Sequence, residues 1–139
     1  MSNRKKNELK AAGPVLVIMA GGRGERFWTC SRKTRPKQLL KICGEQSLLQ
    51  ETLARVTSLT ITSRIFVVAN RDYEMEVHRQ LPRLMPENIL VEPESCNTAV
   101  AIGLALAYIS KRFQAEDLQV IFLPCDSLVY EPQEVCPLL

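Results

Sequence analysis

The chain has 139 residues, of which 46% are hydrophobic and 24% charged, with a formal net charge of +3. That suits one globular domain, able to bury roughly two-thirds of the surface its unfolded chain exposes. Abundant Leu, Ile, Val and Phe with little net charge exclude a disordered chain, and 6 Gly and 8 Pro without a period exclude collagen-like and mucin-like sequences.

Taken in chain order, residues 1–14 are expected to form a basic flexible tail. Val15–Met19 is a continuous apolar run of strand length that ends at Gly21-Gly22, the pattern of a strand buried on both faces. Ser47 and Gln50 form a capping-box pair, predicting a helix that runs to about Thr57. Arg64–Ala69 reads as a second strand, with Asn70-Arg71-Asp72 as the turn after it. Asp72–Leu81 is helical in pattern and stops at Pro82. Asn88–Glu92 is a third strand, closed by Pro93. Asn97–Phe113 carries Ala, Leu and Ile on most faces and is expected to press deep into a core. Residues 118–123 form a fourth strand before Pro124-Cys125-Asp126. Strands that are apolar throughout and alternate with helices predict a parallel sheet covered on both faces, with ligands beyond the carboxyl ends of its strands.

Charge is segregated along the chain. Residues 23–41 hold seven bases and one acid, whereas everything from Ile42 onward holds seven bases against thirteen acids. A local basic segment of this kind attracts an anion, and phosphate is the commonest candidate. The glycines sharpen the reading. In Ala20-Gly-Gly-Arg-Gly-Glu-Arg26, three glycines within four positions let backbone N–H groups surround a phosphate without obstruction by Cβ atoms. It is neither the dinucleotide fingerprint, since Phe27 stands where the third glycine is needed, nor a Walker loop, since no Gly-Lys-Ser/Thr follows. The alternative is a tight turn beside exposed basic residues. Nucleic-acid binding through 23–41 is disfavoured by its sparse aromatics and by the acidity of the rest of the chain. An NAD-type oxidoreductase is disfavoured by the missing glycine.

The five cysteines (Cys30, Cys43, Cys96, Cys125 and Cys136) form no C-x-x-C pair, and His78 is the lone histidine. This reads as reduced packing thiols without a zinc site. No apolar run approaches the ~18 residues of a membrane span, and Ala11–Gly22 lacks the cleavage pattern of a secretory leader. A cytoplasmic protein without membrane contact is expected.

Residues 15–50 resemble the opening of the sugar-phosphate nucleotidyltransferases, in particular the mannose-1-phosphate guanylyltransferase group. The shared positions are Gly21, Gly22, Gly24, Arg26, Trp28, Ser31, Arg32, Pro36, Lys37, Gln38, Gly44, Ser47 and Gln50. Leu90-Val-Glu-Pro93 with Asn97-Thr-Ala99 resembles a second block of that group, and Leu123-Pro-Cys-Asp126 a third. The resemblance implies a three-layer α/β/α, Rossmann-like nucleotidyltransferase fold, apparently truncated after the fourth strand, with 15–139 as its N-terminal nucleotide-binding part. It implies a reaction joining GTP to mannose 1-phosphate, giving GDP-mannose and pyrophosphate. Arg26 and Lys37 take the catalytic roles. Ala20, Gly21, Gly22, Gly24, Arg26, Glu92, Asn97 and Thr98 take the nucleotide, and Asp126 binds Mg²⁺. These types suit phosphoryl chemistry: Arg as a planar fork, Lys as a mobile point charge, Asp as a hard oxygen ligand. Asn97-Thr98 equally suits the cap of the helix that follows, and Asp126 a strand-end turn.

The chain departs from the group's pattern at Thr29-Cys30, Cys96, Val100 and Ser127. With the short length, this raises an alternative: a non-catalytic nucleotide-binding or regulatory remnant. The expectation is weak nucleotide binding, little turnover by the chain alone, and self-association through the open side of the sheet.

Overall fold

The computed structural model describes residues 13–21, 36–42, 44–92, 97–114 and 117–125. Four strands, β1 (Val15–Met19), β2 (Ile65–Asn70), β3 (Ile89–Glu92) and β4 (Val120–Pro124), form one sheet in the order β3-β2-β1-β4. Every neighbouring pair is parallel, with Leu16 opposite Ile65, Leu16 opposite Ile121, and Asn70 opposite Glu92. Three helices, α1 (Leu48–Val56), α2 (Glu74–Gln80) and α3 (Thr98–Phe113), make the crossovers.

Side-chain alternation splits the core into two layers. Leu16, Ile18, Ile65 and Val67 face α1 and α2, where Leu49, Val56, Val77 and Leu81 complete one cluster. Val15, Val17, Phe66 and Val68 face α3, where Ala101, Ala105 and Ile109 complete the other. The two-sided cover follows from topology. The chain steps from β1 to β2 to β3 in one direction and then returns past β1 to β4. Right-handed crossovers in opposite directions put their helices on opposite faces. The four leading side chains of β1 and all six residues of β2 are buried. Each Val, Leu, Ile or Phe so enclosed contributes roughly 1.5–3 kcal/mol relative to exposure. The return also creates a switch point between β1 and β4, the usual position of a ligand crevice in open parallel sheets.

Local departures from the sequence reading have physical causes. β2 starts at Ile65, because Arg64 closes a 3-10 turn over Thr62–Arg64. The second helix starts at Glu74, because the Asn70 carboxamide accepts the Asp72 N–H and caps a 3-10 turn over Arg71–Tyr73. β4 runs on to Pro124, which a strand whose only partner among the described residues is β1 tolerates. The expectation that residues 97–113 press into a core on most faces is corrected. Only Ala101, Ala105 and Ile109, one stripe at four-residue spacing, are fully buried in α3, and Val100, Leu104 and Leu106 are exposed. Apolar content alone does not specify how many faces of a helix are covered.

At the amino end of β1, the Gly13 carbonyl accepts a hydrogen bond from the buried Arg64 guanidinium. Residues 1–12 lie outside the described residues. No described helix is long and apolar enough to cross a membrane.

Candidate nucleotide site at the carboxyl ends of the strands

At the carboxyl edge the sheet gives up apolar side chains. Met19 pairs with Val68 and Asn70 with Glu92, so Gly21, Asn70 and Glu92 follow one another across β1, β2 and β3. Continuing the alternation puts all three on the α3 face. Glu92 is only 2% exposed. Its carboxylate reaches past β2 to Gly21, so closely that a Cβ built on Gly21 would lie 2.3 Å from Oε2. Glycine is required there by close approach, independent of its φ angle. Glu92 Oε1 is buried and has no hydrogen-bond partner among the described residues. Burial pushes the Glu92 carboxyl above the ordinary carboxylate range. A buried acceptor without a donor is costly, by ~1–3 kcal/mol for a neutral group and more for a charged one. A carboxylate at this position can accept hydrogen bonds from N–H groups.

Lys37 comes to this edge by another route. Pro36 is buried, and a 3-10 turn over Lys37–Leu39 turns Gln38 and Leu39 inward while leaving Lys37 half-buried. The Gln38 carboxamide donates from Nε2 to the Ala20 carbonyl at 2.6 Å, at the last residue before the glycines. Ala20 in turn donates its N–H to Val68. Behind the turn, Gln80 on α2 donates from Nε2 to the Leu39 carbonyl at 3.2 Å and accepts the Ser47 hydroxyl at 2.6 Å. Gln50 donates to the Gln80 carbonyl. Ser47 and Gln50 also form the expected capping box of α1. The polar residues of the second stretch of the motif, Gln38, Ser47 and Gln50, therefore build a scaffold under Lys37.

Of the residues picked from sequence, the structure brings Ala20, Gly21 and Glu92 together, and joins the backbone around Lys37 to them through Gln38. Asn97 and Thr98 open α3 and are exposed, and Asn97 caps the helix by accepting the Val100 N–H. Neither hydrogen-bonds Gly21 or Glu92 among the described residues. Gly22, Gly24, Arg26 and Asp126 lie outside the described residues. The chain leads into Asp126 from Cys125, a buried residue whose thiol donates to the Met19 carbonyl at 3.2 Å. β4 thus carries the chain to Cys125 beside the β1/β4 switch point. No cluster of three or more potential metal ligands occurs among the described residues.

The roles of two scaffold residues carried no sequence signal. Gln80 sits in a short helix where it also donates to Glu76 one turn earlier, and its partners in the scaffold lie 30–41 positions away. Gln38 was visible only as a member of the motif, without a role.

The parallel sheet, wound in both directions from β1 and covered by helices on both faces, defines a doubly wound α/β architecture. The chain belongs to the nucleotidyl transferase family, whose model matches residues 15–135. It is 37% identical over 130 residues to a mannose-1-phosphate guanylyltransferase of Sinorhizobium fredii, covering 92% of this chain and 25% of the relative. A mannose-1-phosphate guanylyltransferase 2 of Escherichia coli O157:H7 is 35% identical, covering 88% of this chain and 26% of the relative. A mannose-1-phosphate geranyltransferase structure from Thermus thermophilus superposes with a TM-score of 0.75 at 34% identity, covering 89% of this chain and 35% of that one. The chain thus spans about a quarter of the length of the curated relatives it matches.

Proposed function

We propose that the carboxyl edge of this sheet binds GTP, and that the chain is the nucleotide-binding part of a mannose-1-phosphate guanylyltransferase. The observation that carries the reading is the buried Glu92 carboxylate, short of donors and packed on Gly21. Guanine offers two adjacent donors, N1–H and the exocyclic N2–H, and a carboxylate accepts both side by side. Adenine presents an acceptor at N1 and repels the same group. Glu92 is therefore the base-reading residue. Amides of the glycine turn at Gly21, Gly22 and Gly24, with Arg26, hold the triphosphate. Asn97 and Thr98 flank the ribose.

In the reaction, the phosphate oxygen of mannose 1-phosphate attacks the α-phosphorus of GTP, and pyrophosphate leaves with the bond it breaks. The protein's task is to align two anions and offset their charge. Lys37, on a buttressed turn, brings its ammonium to the α-phosphate. Asp126 holds Mg²⁺, which supplies charge neutralisation at the phosphates when bound. A GTP-consuming transferase of this kind fits a cytoplasmic setting. The exposed Val100, Leu104 and Leu106 and the half-buried β4 edge support self-association of the 139-residue chain.

The test is calorimetric titration of the chain with GTP and with ATP, repeated for Glu92→Gln and Arg26→Ala. GTP is expected to bind better than ATP. Glu92→Gln removes that preference, and each substitution weakens GTP by roughly 1.5–3 kcal/mol, the scale of a charged hydrogen bond. Equal affinity of parent and Glu92→Gln for GTP overturns the assignment of the base.

A further inference from the structure

Resting on the nucleotide reading above, we propose that Gln38 is a positioning residue that couples Lys37 to the backbone amide of Gly21. Its carboxamide is 4% exposed and donates to the carbonyl of Ala20. The peptide that carries this carbonyl also carries the N–H of Gly21, which points the opposite way in a trans peptide. A donor fixed on the carbonyl therefore fixes the direction of the Gly21 amide. The same side chain sits next to Lys37 in a single 3-10 turn, whose Leu39 and Leu40 N–H groups bond back to Pro36 and Lys37. Two groups meant for one triphosphate thus hang on one buried hydrogen bond. Gln80 restrains the other side of that turn through the Leu39 carbonyl, and Ser47 and Gln50 hold Gln80 in place. Neither Gln38 nor Gln80 is placed to touch the base, because Glu92 lies on the opposite face of the sheet from Leu39 and Ala20.

The experiment uses the full 139-residue chain and two probes, GTP and guanosine. Guanosine keeps the base and lacks the phosphates, so a coupling residue changes the ratio of the two affinities, whereas general loosening of the fold changes both. Gln38→Leu keeps the size and removes the donor. It is expected to weaken GTP roughly 3–10-fold, the scale of one hydrogen bond, and to leave guanosine unchanged. In a Lys37→Ala background the same substitution is expected to cost less than in the parent, since its effect through Lys37 is already gone and only that through the Gly21 amide remains. Gln80→Met, on a half-buried site, gives a smaller loss in the same direction and covers the case in which Gln38→Leu does not fold.

Full additivity with Lys37→Ala, or an equal loss for guanosine and GTP, overturns the proposal. Amide hydrogen exchange of the free protein supplies an arm that needs no nucleotide. Gln38→Leu is expected to speed exchange at residues 20–21 and 37–40 while the centre of β2 stays protected. If the parent binds GTP no better than guanosine, the nucleotide reading fails. The coupling then stands or falls on exchange alone, with unchanged rates at both segments refuting it.

Discussion

At the amino end of the sheet, Asn88 is fully buried and donates to the Ile65 and Thr62 carbonyls at 2.8 and 3.2 Å while accepting Arg112 at 2.8 Å. At the carboxyl end, Glu92 is enclosed as well and has an acceptor oxygen with no partner among the described residues. The amino end also contains a buried cation. Arg64 lies against the Phe113 ring, 5.3 Å from its centroid, and donates to Gly13, although its Nη2 is unpartnered and burial pulls its pKa down. A guanidinium is weakly hydrated and finds compensation on an aromatic face. A carboxylate has no such recourse. The contrast separates polar residues that finish a fold from one that the fold leaves unfinished at the edge where ligands bind.

The largest effect that tests this contrast is expected at Asn88. Replacing it with Leu strands two carbonyls and one Arg112 donor at ~1–3 kcal/mol for each group that water cannot reach, for a total loss of about 2–4 kcal/mol of folding stability. Urea unfolding measures it. The affinity of the remaining folded protein for GTP is expected to match the parent, because Asn88 lies at the end of the sheet away from Gly21. A loss of GTP affinity without a loss of stability would reverse the assignment of the two ends.

Next in size is Gly21→Ala. The new Cβ would meet the Glu92 carboxylate at 2.3 Å, so the acid must leave its position. GTP affinity is expected to fall by roughly 1.5–3 kcal/mol, the scale of one charged hydrogen bond. Adding Glu92→Asp, which withdraws the carboxylate by one methylene, is expected to restore part of the loss. Gly103 is the control: it lies within α3, where an added Cβ meets nothing within 4 Å. Gly103→Ala should raise stability by roughly 0.5–1 kcal/mol through helix propensity and leave GTP binding alone. Binding titrations and thermal unfolding of the three variants read both quantities.

Much of the layout was legible because periodicity and capping are local. Val15–Met19 matches its sequence reading residue for residue, and Ser47 and Gln50 pair as their spacing predicts. The parallel sheet followed from strands without a polar face. What local pattern could not reveal was lateral and long-range. Nothing near Glu92 in sequence indicates that its carboxylate crosses to Gly21, and nothing near Gln80 indicates that it supports Leu39. The α3 stripe was misjudged for a related reason: Ala and Leu content reports helix formation, whereas coverage depends on what packs alongside. Asn97 and Thr98 were legible as a cap, and the cap is present. For Gly21 and Lys37 the motif identified the residues, and the structure supplied their connection through Gln38 and Ala20.

The smallest expected effect is also the most diagnostic, because it has opposite signs in two measurements. Burial raises the Glu92 pKa above its value in the unfolded chain. Between the ordinary carboxylate range and that raised value, the folded state holds a proton that the unfolded state has released. Stability is therefore fully present at low pH and declines as pH climbs through the window, by at most about 1.4 kcal/mol per pH unit for one proton. Guanine binding needs the ionised carboxylate to accept N1–H and N2–H, so GTP affinity should rise across the same window, by at most about tenfold per pH unit. Binding then releases a proton, which calorimetry in buffers of different ionisation enthalpy detects. Glu92→Gln removes the titrating group, so the difference between parent and variant isolates the Glu92 contribution from the chain's other acids. In that difference, stability falls and GTP affinity climbs as pH increases. If the two moved together, Glu92 would be a buried acid of the fold alone, no different in kind from the polar residues at the amino end.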